Sequence, residues 1–336
     1  MKSPTPVQPM KTPVQNQPRV TIGVPTYNGS PYLRDCLNGI LAQTYQDYAV
    51  IISDNASTDE TADIAQEFAA KDPRFRYIRQ NKKCDVLLNF YAVAKAAKTT
   101  FFIWHADDDA WAPNYLEELV ALLDKKPSAK LAVAQTLEEF LDGSNRKIVT
   151  NYISADKGFL QQMRWLNNYP ATWLYGLFRR STLDRVLDLV MQEPGLVKGA
   201  DFLILFYFCF AKLVVGTNNT CFIWRGYVDH NQSREKGESH PKVTKGQENS
   251  SLRKNIGNKI EQLIQKNSKK ISKVDYLVQC RRRFFRVATI WIRQETPNLA
   301  QRLVWRVYLW FFVGHRVYAA HRALKYSMLS ALSRHR

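Results

Sequence analysis

The sequence predicts an α/β fold: a mixed, mainly parallel sheet flanked by helices, followed by a C-terminal basic helical extension. Three observations predict it. Short apolar runs alternate with helices of about a dozen residues from Val20 to Lys125, the pattern of parallel strands joined by crossover helices. Polar clusters follow the first, second and fourth of those runs, at the strand ends where such sheets bind ligands. From Ser251 onward there are 19 Lys/Arg against three acids, a net of +16 out of the chain's +18.

Val20 to Val24 reads as a buried strand ending at Pro25, and Tyr32 to Gln43 as a helix with Leu33, Leu37, Ile40 and Leu41 on one face. Tyr48 to Ser53 is a second strand. Asp59 caps a helix running through Ala70, and Phe75 to Arg79 is a third strand. The helix Val86 to Ala97 leads into the β-branched and aromatic run Thr99 to Trp104. A helix from Asn114 to Lys125, a strand from Lys130 to Phe140 and a turn at Asp142 to Asn145 follow. Ala171 to Phe178 reads as a strand and Thr182 to Met191 as a helix. Gly199-Ala200-Asp201 opens an apolar helix through Ala211, and Val214 to Thr220 with Cys221 to Trp224 suggests a strand and a turn. Two basic helical stretches, Leu252 to Gln294 and Leu299 to Ser333, flank Thr296-Pro297-Asn298. The expected organisation is a disordered tail over 1–18, a principal domain over 19–232, a polar mobile loop over 233–251 and a basic amphipathic helical region over 252–336.

Composition narrows the function. Five cysteines, odd in number and without a CxxC pair, argue against a disulfide framework or zinc site and fit a reducing cytosol. The longest apolar stretch, Phe202 to Ala211, is well short of the roughly 20 residues that span a bilayer, so no conventional transmembrane helix is expected. Residues 1–250 carry a net charge of only +2, which assigns the basicity to the tail.

The three polar clusters are Thr26 to Gly29, Asp54 to Asp59, and the run HADDDAWAP from His105 to Pro113. Crowded carboxylates repel one another. A chain that places Asp107, Asp108 and Asp109 after a buried strand gives them a cation to hold, which points to a metal and a phosphate. The alternative is a solvated loop with an Asp cap on the helix beginning near Pro113.

Val20 to Thr61, then Asn89, then HADDDAWAP, resemble the family 2 glycosyltransferases of the GT-A (Rossmann-like) fold, bacterial surface-polysaccharide type; the likeness covers about Val20 to Ser233. It implies an inverting, metal-assisted sugar transfer from a nucleotide-diphosphate donor, a UDP-sugar, to a hydroxyl of a lipid-linked or polysaccharide acceptor. By this resemblance Pro25, Thr26 and Tyr27 pack around the base. Asp54 and Asn55 match paired acidic positions, with Asn55 a departure from the commoner Asp. Asp108 is the principal ligand for Mn²⁺ or Mg²⁺, Asp109 supports it, and Asp107 contacts ribose or metal. Asp201 matches the general base, although the Glu that usually precedes it is here Ala200; a helix N-cap is its alternative role. Trp224 to Ser233 resembles the stretch that closes these sites, so Arg225 or Arg234 contacts the diphosphate and His230 completes the metal or phosphate site. Trp173, Tyr175 and Arg179 match an acceptor-side strand, with an ordinary core strand as the alternative.

In the tail, Arg302, Arg306 and Arg316 form a narrow stripe on a helical wheel. Val304, Trp305, Val307, Tyr308, Phe311, Phe312 and Tyr318 fill the remainder, the composition of a helix lying in a membrane interface. Peripheral attachment to an anionic membrane at the cytoplasmic face follows; packing on the domain or in a homodimer is the alternative. A nucleic-acid-binding protein would explain the charge but leave the Asp cluster without purpose, so no nucleic-acid partner is expected. A nucleotidyltransferase would need a Gly-rich or basic triphosphate loop near the first strand, and Thr26 to Gly29 has no Lys or Arg.

Overall fold

The computed structural model describes residues 17–140, 147–152, 166, 169–192, 200–226, 285–296, 298–299 and 301–307. The expected tail over 1–18, apart from its last two residues, the turn at 142–145 and the loop at 233–251 lie outside them.

Four strands make the parallel half of the sheet: β1 (Val20–Thr26), β2 (Tyr48–Asp54), β3 (Phe75–Arg79) and β4 (Phe101–Trp104), in the order β3-β2-β1-β4. Helices α1 (Ser30–Leu41), α2 (Thr61–Lys71) and α3 (Val86–Ala96) make the crossovers. Every residue of β1 is buried, as befits a strand covered on both faces. Strand side chains alternate between two cores. Phe101 and Ile103 join the core formed with α1, α2 and α4 (Tyr115–Lys125), while Phe102 and Trp104 join the core on the α3 side. The register pairs Thr26 with Asp54, and the His105 N–H donates to the Gly23 carbonyl at 2.9 Å. All three polar clusters therefore leave the same edge.

The second half makes the sheet mixed, as expected, and within it antiparallel neighbours outnumber parallel ones. Its strands are β5 (Ala110–Trp111), β6 (Leu131–Phe140), β7 (Lys147–Thr150), β8 (Leu177–Arg179) and β9 (Val214–Gly226), continuing the order β4-β8-β6-β9-β5 with β7 on β6. β8 runs antiparallel to β4 and β6, and β5 antiparallel to β9, whereas β6 and β9 are parallel. Two expectations change. Most of Ala171 to Phe178 is a 3₁₀ turn (Ala171–Tyr175), and only its end enters β8. Gly176 lets it enter, because a Cβ there would meet the Ala132 carbonyl at 2.5 Å. The expected break after Thr220 is instead a bulge in one strand: register with β6 jumps from Ala134↔Thr217 to Gln135↔Cys221.

Helix α5 (Arg180–Met191) covers α6 (Ala200–Phe210), whose residues from Leu203 to Phe210 are all buried. The remaining cover comes from the C-terminal region. Val287, Ala288, Trp291 and Ile292 of helix 285–295 are buried, with the Trp291 and Tyr207 ring centroids 5.2 Å apart. The Tyr207 hydroxyl donates to Glu295 at 3.1 Å, and Trp305 meets Phe210 edge-on at 4.8 Å. Residues 285–307 thus complete a core. Trp291→Ala is expected to lower unfolding stability by about 3–5 kcal/mol, read by urea titration; a loss below about 1 kcal/mol would show that these helices are not part of the cooperative unit.

Candidate active site

The first two polar clusters form one hydrogen-bonded unit. Asn28 and Ala56 adopt left-handed backbone conformations (φ 51° and 59°), which bend the loops toward each other. The Asn28 N–H donates to Ser57 Oγ and the Thr58 N–H to Asn28 Oδ1, both at 2.9 Å. The Gly29 N–H donates to Thr61 Oγ1 at 2.9 Å, and the Asn55 N–H to the Thr26 carbonyl at 2.9 Å.

Asp54 anchors this unit. Its carboxylate is fully buried and accepts from the Ser57 N–H and hydroxyl (2.8 and 2.5 Å), the Tyr77 hydroxyl (2.8 Å) and Arg79 Nη1 (2.7 Å). Asn55 pairs in both directions with the backbone of Cys84 (2.8 and 2.9 Å). Asp54 and Asn55 thereby build the wall of the loop. Pro25 is buried in β1, and Tyr27 lies beside it with the Lys83 ammonium 3.7 Å from its ring centroid, a cation–π contact.

The third cluster gives its acids different surroundings. Thr26 Oγ1 donates to Asp107 Oδ2 at 2.5 Å, a closeness that requires Gly29, since a Cβ there would collide with both groups. Asp109 is buried and accepts from the Arg225 N–H at 3.1 Å. Burial, reinforced by the charges of Asp108 and Asp107 and opposed by that N–H, pushes its carboxyl up to about 7. Asp108 is half-buried between them. His105, wholly buried, is held to about 4 by desolvation and is a neutral ring whose Nδ1 lies 2.6 Å from the Ala106 carbonyl. Pairing of β5 with β9 delivers Arg225, whose Nε is 3.9 Å from Glu139. A cavity of about 340 Å³ adjoins Asp109 and Arg225, bounded by Cys36, Trp111 and Glu139.

Among the described residues no three His, Cys, Asp or Glu side chains converge as a complete metal cage. Mg²⁺ and Mn²⁺ need no such cage when substrate phosphates supply the remaining oxygens. The donor set of Asp108 and Asp109 fits such an ion, whose charge would offset the carboxylate repulsion that adds to burial in raising Asp109.

Asp201 occupies the first turn of α6, where burial raises its pKa against the backbone N–H groups of Phe202 and Asp201 itself. Tyr175 lies within the field of both acid groups: burial first, then the charges of Asp109, Asp108, Asp107 and Asp201, hold its phenol protonated. Its ring stacks flat on Phe222 at 4.9 Å. Trp173 is buried in the core beside Tyr152. Arg179 is not brought to the site. It pairs opposite Phe101, the first residue of β4, and donates to the carbonyls of Ala129 (2.9 Å) and Leu123 (2.8 Å) at the far edge of the sheet. His230 and Arg234 lie outside the described residues. Sequence reading missed Arg79, Tyr77 and Lys83; an Arg ending a strand that runs parallel to the one ending in Asp54 was the available signal.

Residues 21–187 match the family model described as Glycosyl transferase family 2. An uncharacterized glycosyltransferase of Rickettsia prowazekii (strain Madrid E) is 35% identical over 180 residues, covering 53% of this chain and 53% of that protein. The chondroitin synthase of Escherichia coli is 32% identical over 142 residues, 40% of this chain and 19% of the synthase. Among solved structures, S. aureus TarS superposes with a TM-score of 0.49 at 16% identity, covering 62% of this chain and 60% of that one. The chain spans about half the length of the first curated relatives it matches.

The left-handed Ala56 carries a backbone cost that glycine lacks. Ala56→Gly is expected to raise stability by about 0.5–1 kcal/mol after the added freedom of the unfolded chain is subtracted; a melting temperature lowered by the change would contradict the loop geometry.

Proposed function

The chain belongs to glycosyl transferase family 2 through residues 21–187, and from that premise we propose that it transfers a sugar, with inversion, from a uridine diphosphate donor to a hydroxyl of a lipid-linked or saccharide acceptor. The observation that carries this reading is the convergence of all three polar clusters on Thr26 at the carboxyl edge of the parallel strands, its carbonyl accepting from the Asn55 N–H and its hydroxyl donating to Asp107. The likeness to a synthase of a saccharide polymer supports a saccharide acceptor.

In this reading the loop anchored by Asp54 and Asn55, with Pro25, Thr26 and Tyr27, shapes the base and ribose pocket, and Arg225 faces the diphosphate. Asp108 and Asp109 would hold Mn²⁺ or Mg²⁺, which would neutralise the charge that develops on the leaving group. Asp107, fixed by Thr26, keeps the cluster in register with the first loop. Asp201 accepts the acceptor's hydroxyl proton as that oxygen attacks the anomeric carbon from the face opposite the diphosphate. One C–O bond forms, the bond to the diphosphate breaks, and the proton passes from Asp201 to water. A base with a raised pKa holds that proton better than an ordinary carboxylate. Tyr175 lines the acceptor side. No helix among the described residues is long and apolar enough to cross a membrane; the proposed place of work is the inner face of the cytoplasmic membrane, by peripheral contact.

Screening the protein against nucleotide sugars, read as nucleotide released with Mn²⁺, tests the activity. Asp108→Ala is expected to abolish the divalent-dependent release, and retention of full release would remove Asp108 from the ion site. Asp201 works only when ionised, so rate is lost as pH falls through its raised pKa. The acid limb of kcat/KM is therefore expected above the ordinary carboxylate value of about 4. Asp201→Asn is expected to lower kcat by about 10²–10⁴-fold with donor affinity unchanged by calorimetry; collapse of donor affinity would assign Asp201 to binding.

A further inference from the structure

Helices 285–295 and 301–307 each press one side onto α6 and leave the other in water. On the second, Leu299 (78% exposed), Leu303 (64%), Val307 (52%) and Val304 (49%) share an arc of about 140° on the helical wheel. Buried Trp305 falls on the opposite side, against Phe210. Arg302 and Arg306 border the arc. On the first helix, Ile290 is exposed between Arg286 and Arg293, at the four- and three-residue spacings that put all three on one side. Of the apolar wheel read from sequence, Trp305 is thus part of the core, whereas Val304 and Val307 are exposed.

We propose that this outward face docks on an anionic lipid surface, with Leu299, Leu303, Val304 and Val307 entering the headgroup boundary and the arginines meeting lipid phosphates. Charge selects the occupant. Residues 251–336 carry a net +16, and the sequence continues past the face with Trp310, Phe311, Phe312 and Arg316. A second copy laid on the same face would set arginine rows against arginine rows. A nucleic acid would satisfy the arginines and leave the leucines and valines in water. An anionic bilayer answers both the apolar arc and its cationic border. This deepens the reading of an acceptor held at the membrane, and vesicle binding is measured without sugar transfer. Failure of docking leaves the transfer reading standing, and failure of nucleotide release leaves docking standing.

The full chain is sedimented with vesicles of phosphatidylglycerol and phosphatidylcholine, or of phosphatidylcholine alone, at low and high salt. Binding at least about tenfold tighter to the anionic vesicles, weakened by salt, is expected. The double variant Leu303→Asp/Val307→Asp is expected to lose at least about tenfold in binding with its thermal melting unchanged, since neither side chain is packed. Arg293→Glu/Arg306→Glu is expected to lose the preference for anionic lipid by about tenfold. Unchanged vesicle binding in the Asp variant, or equal binding to zwitterionic vesicles, overturns the proposal. So does a wild-type dimer that the Asp variant converts to monomer, or duplex DNA binding at physiological salt that the same variant abolishes.

Discussion

A carboxylate shut away from water must take its hydrogen bonds from protein, and Asp54 takes four. Two come from Ser57, three residues onward, and two from Tyr77 and Arg79 on the neighbouring strand. The first pair curls the loop after β2 back on itself. The second exists only because β2 and β3 are parallel in the register that sets Arg79 beside Asp54. A shift of one residue would strand a buried charge, at a cost of about 3–5 kcal/mol. Loop shape and sheet register thereby fix each other. Ser57, held by Asp54, in turn holds Asn28, so the first loop inherits its position from the second.

That inheritance reaches the acid cluster through Thr26. Its carbonyl receives the Asn55 N–H and its hydroxyl bonds Asp107, joining all three polar clusters at one residue. Three adjacent carboxylates in equal surroundings would share their repulsion evenly. Here Asp107 has a hydroxyl donor, Asp109 has burial and a backbone N–H from β9, and Asp108 stands between with more access to solvent. Unequal surroundings are how neighbouring acids take different roles. Asp109, whose carboxyl is pushed up to about 7 by burial and its neighbours' charges, is the member whose ionised form a divalent cation would favour.

The parallel half was legible because its strands are buried on both faces and read as unbroken apolar runs, while the helices between them show one-sided spacing. The mixed half hid its geometry for identifiable reasons. The bulge at Asn218 to Thr220 has the composition of a turn, although the strand resumes at Cys221. β5 is two residues long and has no period to detect. Arg179 follows Trp173 and Tyr175 closely enough to look like a third member of a pocket; strand direction, which composition does not encode, carries it to the opposite edge. In the tail, wheel analysis separated arginine from apolar positions. It had no means of dividing the apolar set into packed and open parts, because that division is made by α6.

That same helix ties the ends of the molecule together. α6 is apolar on nearly every side, so no arrangement of the sheet alone could bury it, and its cover must come from elsewhere in the chain. The cover is Trp291 and Trp305, which meet Tyr207 and Phe210 in its last two turns. Asp201 stands in its first turn, six residues and about 9 Å of helix before Tyr207. A regular helix transmits position along its axis with little loss, so the clamp on the far turns helps to set where the Asp201 carboxylate lies. The aromatic residues of the C-terminal region therefore serve the proposed base from one side of their helices, while the arginines and open aliphatic residues face away from it. One short pair of helices thus carries both the cover of α6 and the proposed docking face.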